Sequence, residues 1–298
     1  MPRWFISTRT HSVGGPVGTV KILDADRPGH VGDLEHELLD GIGGREVLFG
    51  VHGFNVNQSD GIAHMTFWFN NMQIGNAVPI GILWPGDCII PIFVDYVVEG
   101  HEAIRSGELL ADFFNAKFTA VASLSFASHS LGARVVLETI AGLSSNLRVR
   151  RVVLMAGAID DNCLTAEYSR AAKKVEEISI LASRRDDVLA LAYPLANPLQ
   201  GIIDQGHPYY HAALGREGPD HPSLLGPTLT PNWEIPNELD YGHLDYLPGK
   251  PITAAFPLPI DIPPENGPVP PTGTPPDLSQ PKQWKPAWSA AFVSSRYK

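Results

Sequence analysis

The chain has 298 residues, 44% of them hydrophobic, and a formal net charge of −10. That length and apolar share support one large domain with a sizeable core. The acidic balance argues against nucleic acid or an anionic membrane as the main partner, and no stretch approaches the ~18 apolar residues of a membrane span.

Two cysteines, Cys88 and Cys163, provide neither a disulfide framework nor a metal cluster. The N-terminal MPRWFISTRTHS lacks the apolar core of a secretory signal and reads as a first strand, so a cytoplasmic protein is expected. β-rich runs lie near Trp4–Thr8 and Val17–Leu23. Glu46–Val51 (EVLFGV) is a continuous apolar run, as a strand buried on both faces of a parallel sheet requires. It ends in His52-Gly53-Phe54-Asn55, and a helical pattern follows from about Asp60. The next buried strand, Pro79–Trp84, closes in Pro85-Gly86-Asp87, and a long helix is predicted over Glu99–Phe114. An apolar run, Phe118–Phe126, then leads into Ser128-His129-Ser130-Leu131-Gly132 and a helix from Ala133. After it come strand Val149–Met155, helix Leu164–Lys174, strand Val175–Leu181 and helix Asp187–Tyr193. This alternation predicts an α/β fold, a doubly wound and mostly parallel central sheet flanked by helices. Ligands in such sheets sit beyond the carboxyl ends of the strands, where Ser130, the HGFN turn and Asp160 all fall.

The regular pattern stops after about Leu199, leaving one further strand near Asn232–Ile235. Pro248–Pro286 holds almost half of the chain's 27 prolines, so neither helix nor central strand is expected there. The predicted organisation is a catalytic domain over 1–247 and a proline-rich extension over 248–298, whose aromatic finish (Trp284, Trp288, Phe292) suits docking onto the domain.

SHSLG has the form of a nucleophile elbow, G-x-S-x-G, with serine in place of the first glycine. A serine hydroxyl needs a base, an acid to orient that base, and amide donors for the oxyanion. Strand 175–181 ends in SRRDDVL, which offers Asp186 as the acid; Asp187 reads instead as a helix-start residue favoured by the helix dipole, and Asp160 with Asp161 forms a reserve pair. His243, after Gly242 and just before the proline-rich segment, is the expected base; His221 and the His207/His211 pair compete. Pro208 and the lack of a third ligand argue against a metal on that pair, and no metal or cofactor is expected. The oxyanion donors are assigned to the backbone N–H groups of Leu131 and Phe54, with Gly53 letting its loop approach the substrate. His129, beside the nucleophile, is expected to pack or to contact substrate, and His52 is placed at the substrate with Gly53. Cys88 and Cys163 read as buried structural thiols, not as nucleophiles.

The segments VLFGVHGFNVN, ILWPGD, ASHSLGARVVLETI, VVLMAGAIDD, SRRDDVL, ALGREGP and DYGHLDYL resemble the α/β-hydrolase superfamily, in a bacterial branch of hydrolases of unknown function. They cover roughly residues 45–247. The resemblance implies the α/β-hydrolase fold, with Ser130, Asp186 and His243 as nucleophile, acid and base, and it places Trp84 near the pocket wall. Ser128 departs from the usual glycine and implies a slightly strained elbow. The implied activity is hydrolysis of small or medium acyl esters, with thioester, amide or acyl-transfer chemistry and a non-catalytic binding protein as alternatives.

Overall fold

The computed structural model describes residues 3–13, 15–30, 32–71, 74, 76–87, 92–190, 193, 211–230, 234–235, 237 and 240–246, with backbone alone for 71 and 92–99. The expected extension over 248–298, Cys88 and His207 lie outside these residues.

Among the described residues seven strands form one sheet: β1 (Trp4–Arg9), β2 (Val17–Asp24), β3 (Glu46–Val51), β4 (Val78–Leu83), β5 (Ser123–His129), β6 (Val149–Met155) and β7 (Val175–Leu181). Their order is β2-β1-β4-β3-β5-β6-β7. Only the β1–β2 pair is antiparallel; every other pairing is parallel. β2, at one edge, is only partly buried, whereas every residue of β5 is buried. At the other edge Ile178 bridges Leu229 and Ala182 bridges Glu234, both parallel, so the expected eighth strand is met by a short run of bridges. Helices α1 (Leu34–Ile42), α2 (Gln58–Asn71), α3 (Ile92–Lys117), α4 (Gly132–Gly142) and α5 (Ser169–Lys174) connect the strands. This is the doubly wound, mostly parallel architecture of an α/β hydrolase.

The core is built where apolar strand faces meet helix stripes. Phe49 on β3 stacks on Phe114 of α3 at 4.6 Å and on Phe126 of β5 at 5.2 Å, which locks α3 onto the centre of the sheet. Phe118 closes this cluster 4.8 Å from Phe114, with its N–H on the Phe114 carbonyl. Its apolarity therefore serves the end of α3, and β5 begins five residues later than the apolar run suggests. The helix predicted over 164–174 is likewise shorter: the Thr165 N–H and hydroxyl both turn to the Asn162 carbonyl, three residues back, and the Tyr168 N–H to the Cys163 carbonyl, five residues back. Such local bonds hold turns in place of a helix until Ser169. Helix α1, which the strand-and-turn reading passed over, begins at Asp33, whose carboxylate accepts the His36 N–H at 3.1 Å, with Glu35 and Glu37 in its first turn. The Lys174 ammonium closes the carboxyl end of α4, donating to the carbonyls of Ala141 at 2.7 Å and Leu143 at 2.6 Å.

Candidate active site

β3 and β5 lie side by side, and β7 is separated from β5 only by β6. The HGFN loop, the elbow and the segment 183–186 therefore open on the same end of the sheet. Ser130 follows the last residue of β5 in a left-handed conformation, φ +53°. A non-glycine residue held there stores about 1–3 kcal/mol, which persists only where its surroundings fix it. Here the Ser130 N–H donates to the Met155 carbonyl at 3.0 Å, and the Ser130 carbonyl accepts from Ala133 at 3.1 Å as α4 begins. Space explains the small neighbours. A Cβ on Gly132 would stand 2.5 Å from the His52 carbonyl oxygen, and one on Gly53 would stand 2.8 Å from the Cβ of Ser130. Ser128, at the position where glycine is usual, is wholly buried, and its hydroxyl has no hydrogen-bond partner among the described residues.

The structure brings Ser130, His243 and Asp186 into one hydrogen-bonded row. His243 Nε2 lies 2.9 Å from Ser130 Oγ, and His243 Nδ1 lies 2.8 Å from Asp186 Oδ2. A carboxylate only accepts, so Nδ1 carries the proton and Nε2 presents its lone pair to the serine hydroxyl. The other Asp186 oxygen accepts the Leu189 N–H at 2.9 Å, which makes Asp186 the N-cap of the helix that opens at residue 187. Arg216 holds the Asp186 carbonyl at 2.9 Å. Asp186 is fully buried, while Asp187, one residue on, faces solvent. Asp160 accepts from the Tyr193 hydroxyl, and Asp161 pairs with His211 Nδ1 at 3.0 Å.

The loop that carries His243 is pinned on three sides. Ser183 Oγ donates to the Tyr241 carbonyl at 2.6 Å, Asp245 accepts the Gly242 N–H at 2.7 Å, and His129 Nε2–H donates to the His243 carbonyl at 2.6 Å. The His129 ring thus reaches past the elbow to the backbone of His243, with the two imidazole centres 4.8 Å apart. Burial, with His243 close by, holds His129 well below the usual histidine range, so it is neutral. His52 is neutral for the same first reason: burial pushes it down to about 3, against the pull of its Nδ1–H bond to the Gly53 carbonyl at 2.8 Å. Its ring stacks on Trp84 with the planes 12° apart, and the indole N–H returns a 2.8 Å bond to the His52 carbonyl. His52 and Trp84 are both fully buried.

Leu131 is the residue from which α4 departs, so its N–H belongs to the orphan donors of a helix start. Of the competing histidines, His221 is exposed beside Asp220, and His211 is occupied with Asp161 and Asn162. Among the described residues no group of three or more His, Cys, Asp or Glu could hold a metal ion. Cys163 is buried and unpaired, and burial drives its thiol well above the ordinary range, which keeps it protonated and unreactive. One feature of the site has no local signature in the sequence. Arg9, at the end of β1, is buried against Asp87 of the WPGD turn, 78 residues away. An arginine closing a buried strand requires an opposite charge, but nothing near it in sequence identifies which one.

No curated protein matches the chain. Among solved structures it is similar to phospholipase PlaB from Legionella pneumophila, at 16% identity and a TM-score of 0.23, over 67% of this chain and 37% of that one. The chain thus spans little more than a third of that protein's length. The family described as alpha/beta hydrolase of unknown function (DUF900) matches residues 34–224, a span that holds the HGFN loop, the WPGD turn, the elbow and Asp186. With well over half of its length under that match and the sheet to go with it, the chain belongs to this family of alpha/beta hydrolases.

Proposed function

We propose that the protein is a serine hydrolase that cleaves carboxylic esters of small or medium acyl groups through an acyl-Ser130 intermediate. The observation that carries this reading is the unbroken row from Ser130 Oγ through His243 to Asp186, at 2.9 and 2.8 Å. His243 Nε2 takes the hydroxyl proton as Ser130 Oγ attacks the ester carbonyl carbon. The oxyanion so formed is held by the N–H groups of Leu131 and Phe54. His243 then returns the proton to the leaving alcohol, and the acyl group remains on Ser130. Water deprotonated by His243 attacks the acyl carbon, the C–Oγ bond breaks, and the acid departs while Ser130 recovers its proton. Asp186 keeps the imidazole oriented and stabilises it while it is positively charged. Side chains and backbone carry every step of this proposal, and no cofactor enters it. No helix among the described residues is long and apolar enough to cross a membrane. A cytoplasmic location and a small-molecule acyl ester as substrate complete the proposal.

Intact-mass analysis after treatment with a fluorophosphonate tests the reading. Wild type is expected to gain one adduct and Ser130→Ala none. A panel of matched esters, thioesters and amides then separates ester hydrolysis from the neighbouring acyl chemistries. Absence of an adduct on folded wild type would instead favour a binding protein that has kept the fold.

A further inference from the structure

Arg9 is 1% exposed, and all five of its N–H groups are engaged. Nε donates to the His11 carbonyl at 3.1 Å. Nη1 donates to the carbonyls of Trp84 at 2.8 Å and Val56 at 3.3 Å, and Nη2 to the Ser12 carbonyl at 3.3 Å and to the Asp87 carboxylate. One guanidinium therefore joins the end of β1, the WPGD turn and the HGFN loop. The last two are tied to each other as well: the amides of Asn55 and Val56 both donate to the Gly86 carbonyl, and Trp84 Nε1 donates to the His52 carbonyl. The loop is tightly constrained in between. Asn55 holds φ +58°, and Gly53 lies so close to Ser130 that a methyl group would not fit between them. Arg9 also lies outside residues 34–224, the span matched by the family, so this brace comes from a part of the chain that the family does not describe.

We propose that Arg9 is a positioning residue for the oxyanion hole: its guanidinium fixes the HGFN loop against the WPGD turn and so sets where the Phe54 N–H points relative to Ser130. The proposal rests on the serine-hydrolase reading. The guanidinium suits this task because its planar fork serves several carbonyls at once, whereas an ammonium offers three donors from a single point. A donor displaced by a fraction of an ångström costs rate in the transition state and little in substrate binding, because the oxyanion exists only in the transition state.

The test compares p-nitrophenyl acetate with its thiono analogue, whose carbonyl sulfur is a poor hydrogen-bond acceptor and draws little from the oxyanion donors. Arg9→Lys keeps the buried positive charge opposite Asp87 and loses the fork; Asp87→Asn keeps an acceptor for Arg9 and serves if the first variant fails to fold. Arg9→Lys is expected to lose on the order of 10²-fold in kcat on the oxygen ester, the scale of one missing oxyanion donor, with KM nearly unchanged. Its loss on the thiono ester is expected to be at least about 10-fold smaller, a split that a merely structural role does not produce. Equal losses on the two esters, or an unchanged kcat, in a variant with a wild-type unfolding transition would overturn the assignment. Fluorophosphonate labelling of the wild type, run alongside, distinguishes this failure from that of the hydrolase reading, since an unlabelled wild type refutes both.

Discussion

Asp186 and Asp187 are adjacent, chemically identical and both at the start of a helix, yet their surroundings differ completely. Asp186 divides its two oxygens between His243 Nδ1 and the Leu189 amide, while the Asp187 side chain is in water. A carboxylate that orients an imidazole matters to rate, and one that only faces the helix dipole is worth a few tenths of a kcal/mol. Steady-state kinetics on Asp186→Asn should therefore show a fall in kcat of about 10²–10⁴-fold, against less than about 2-fold for Asp187→Asn. Similar, mild losses at both positions would remove Asp186 from the site and return attention to Asp160 and Asp161. Ser128 illustrates the opposite case at the same scale. Its buried hydroxyl has no partner among the described residues, and nothing in the structure explains why serine stands there in place of the usual glycine.

At the scale of elements, neighbouring strands β3 and β5 deliver a buried histidine to the same end of the sheet, His52 just past β3 and His129 as the last residue of β5. Both are neutral in the folded protein. His52, with an ordinary value of 6.5, is pushed to about 3, chiefly by burial, with Arg9 and His64 adding repulsion and Asp87 opposing it. Between those two values the unfolded chain binds a proton that the folded chain refuses, so stability falls as the pH drops below about 6.5. Each such histidine steepens the dependence by at most about 1.4 kcal/mol per pH unit. Urea unfolding from pH 7.5 down to 5 should show wild type losing stability, with a visibly shallower slope for His52→Gln. Identical slopes in the two proteins would mean that His52 is charged, or easily solvated, in the folded state. The same two elements explain the crowding at the elbow, because α4 can leave β5 beside the end of β3 only with no side chain at residue 132.

Over the whole molecule, every strand among the described residues and all three residues of the hydrogen-bonded row precede Leu247. The density of proline after that point is the reason to expect a separate extension over 248–298. A chain ended at Leu247 should then unfold in one transition, with a Tm within a few degrees of the full chain, and take up fluorophosphonate at a comparable rate. Loss of cooperative unfolding on truncation would place the domain boundary further along the chain. The hairpin of β1 and β2 belongs to the working molecule in this view, although it lies outside the family's span, because β1 pairs with β4 and ends in Arg9.

What could be read without the fold is what short-range physics writes into a chain. Strands buried on both faces read as apolar runs, and β3 spans the residues that its run delimits; β6 and β7 also keep their predicted bounds, although each carries a partly buried charged pair, Arg150-Arg151 and Glu176-Glu177. A tight strand-to-helix turn must use small residues, which is why SHSLG stood out as an elbow, and the nucleophile-acid-base order pointed to Ser130, Asp186 and His243. The apolar run from Phe118 misled because an aromatic cluster and a strand demand the same residues. Only the tertiary structure decided which of two adjacent aspartates faces inward, which of 11 histidines meets the serine, and that the ring of His129 turns to the backbone of His243. It alone placed β4 between β1 and β3 and joined Arg9 to Asp87. Periodicity and turn chemistry are set by neighbours along the chain. The partner of a buried charge or of a buried imidazole is set by neighbours in space, and for these residues that partner lies tens to more than a hundred positions away.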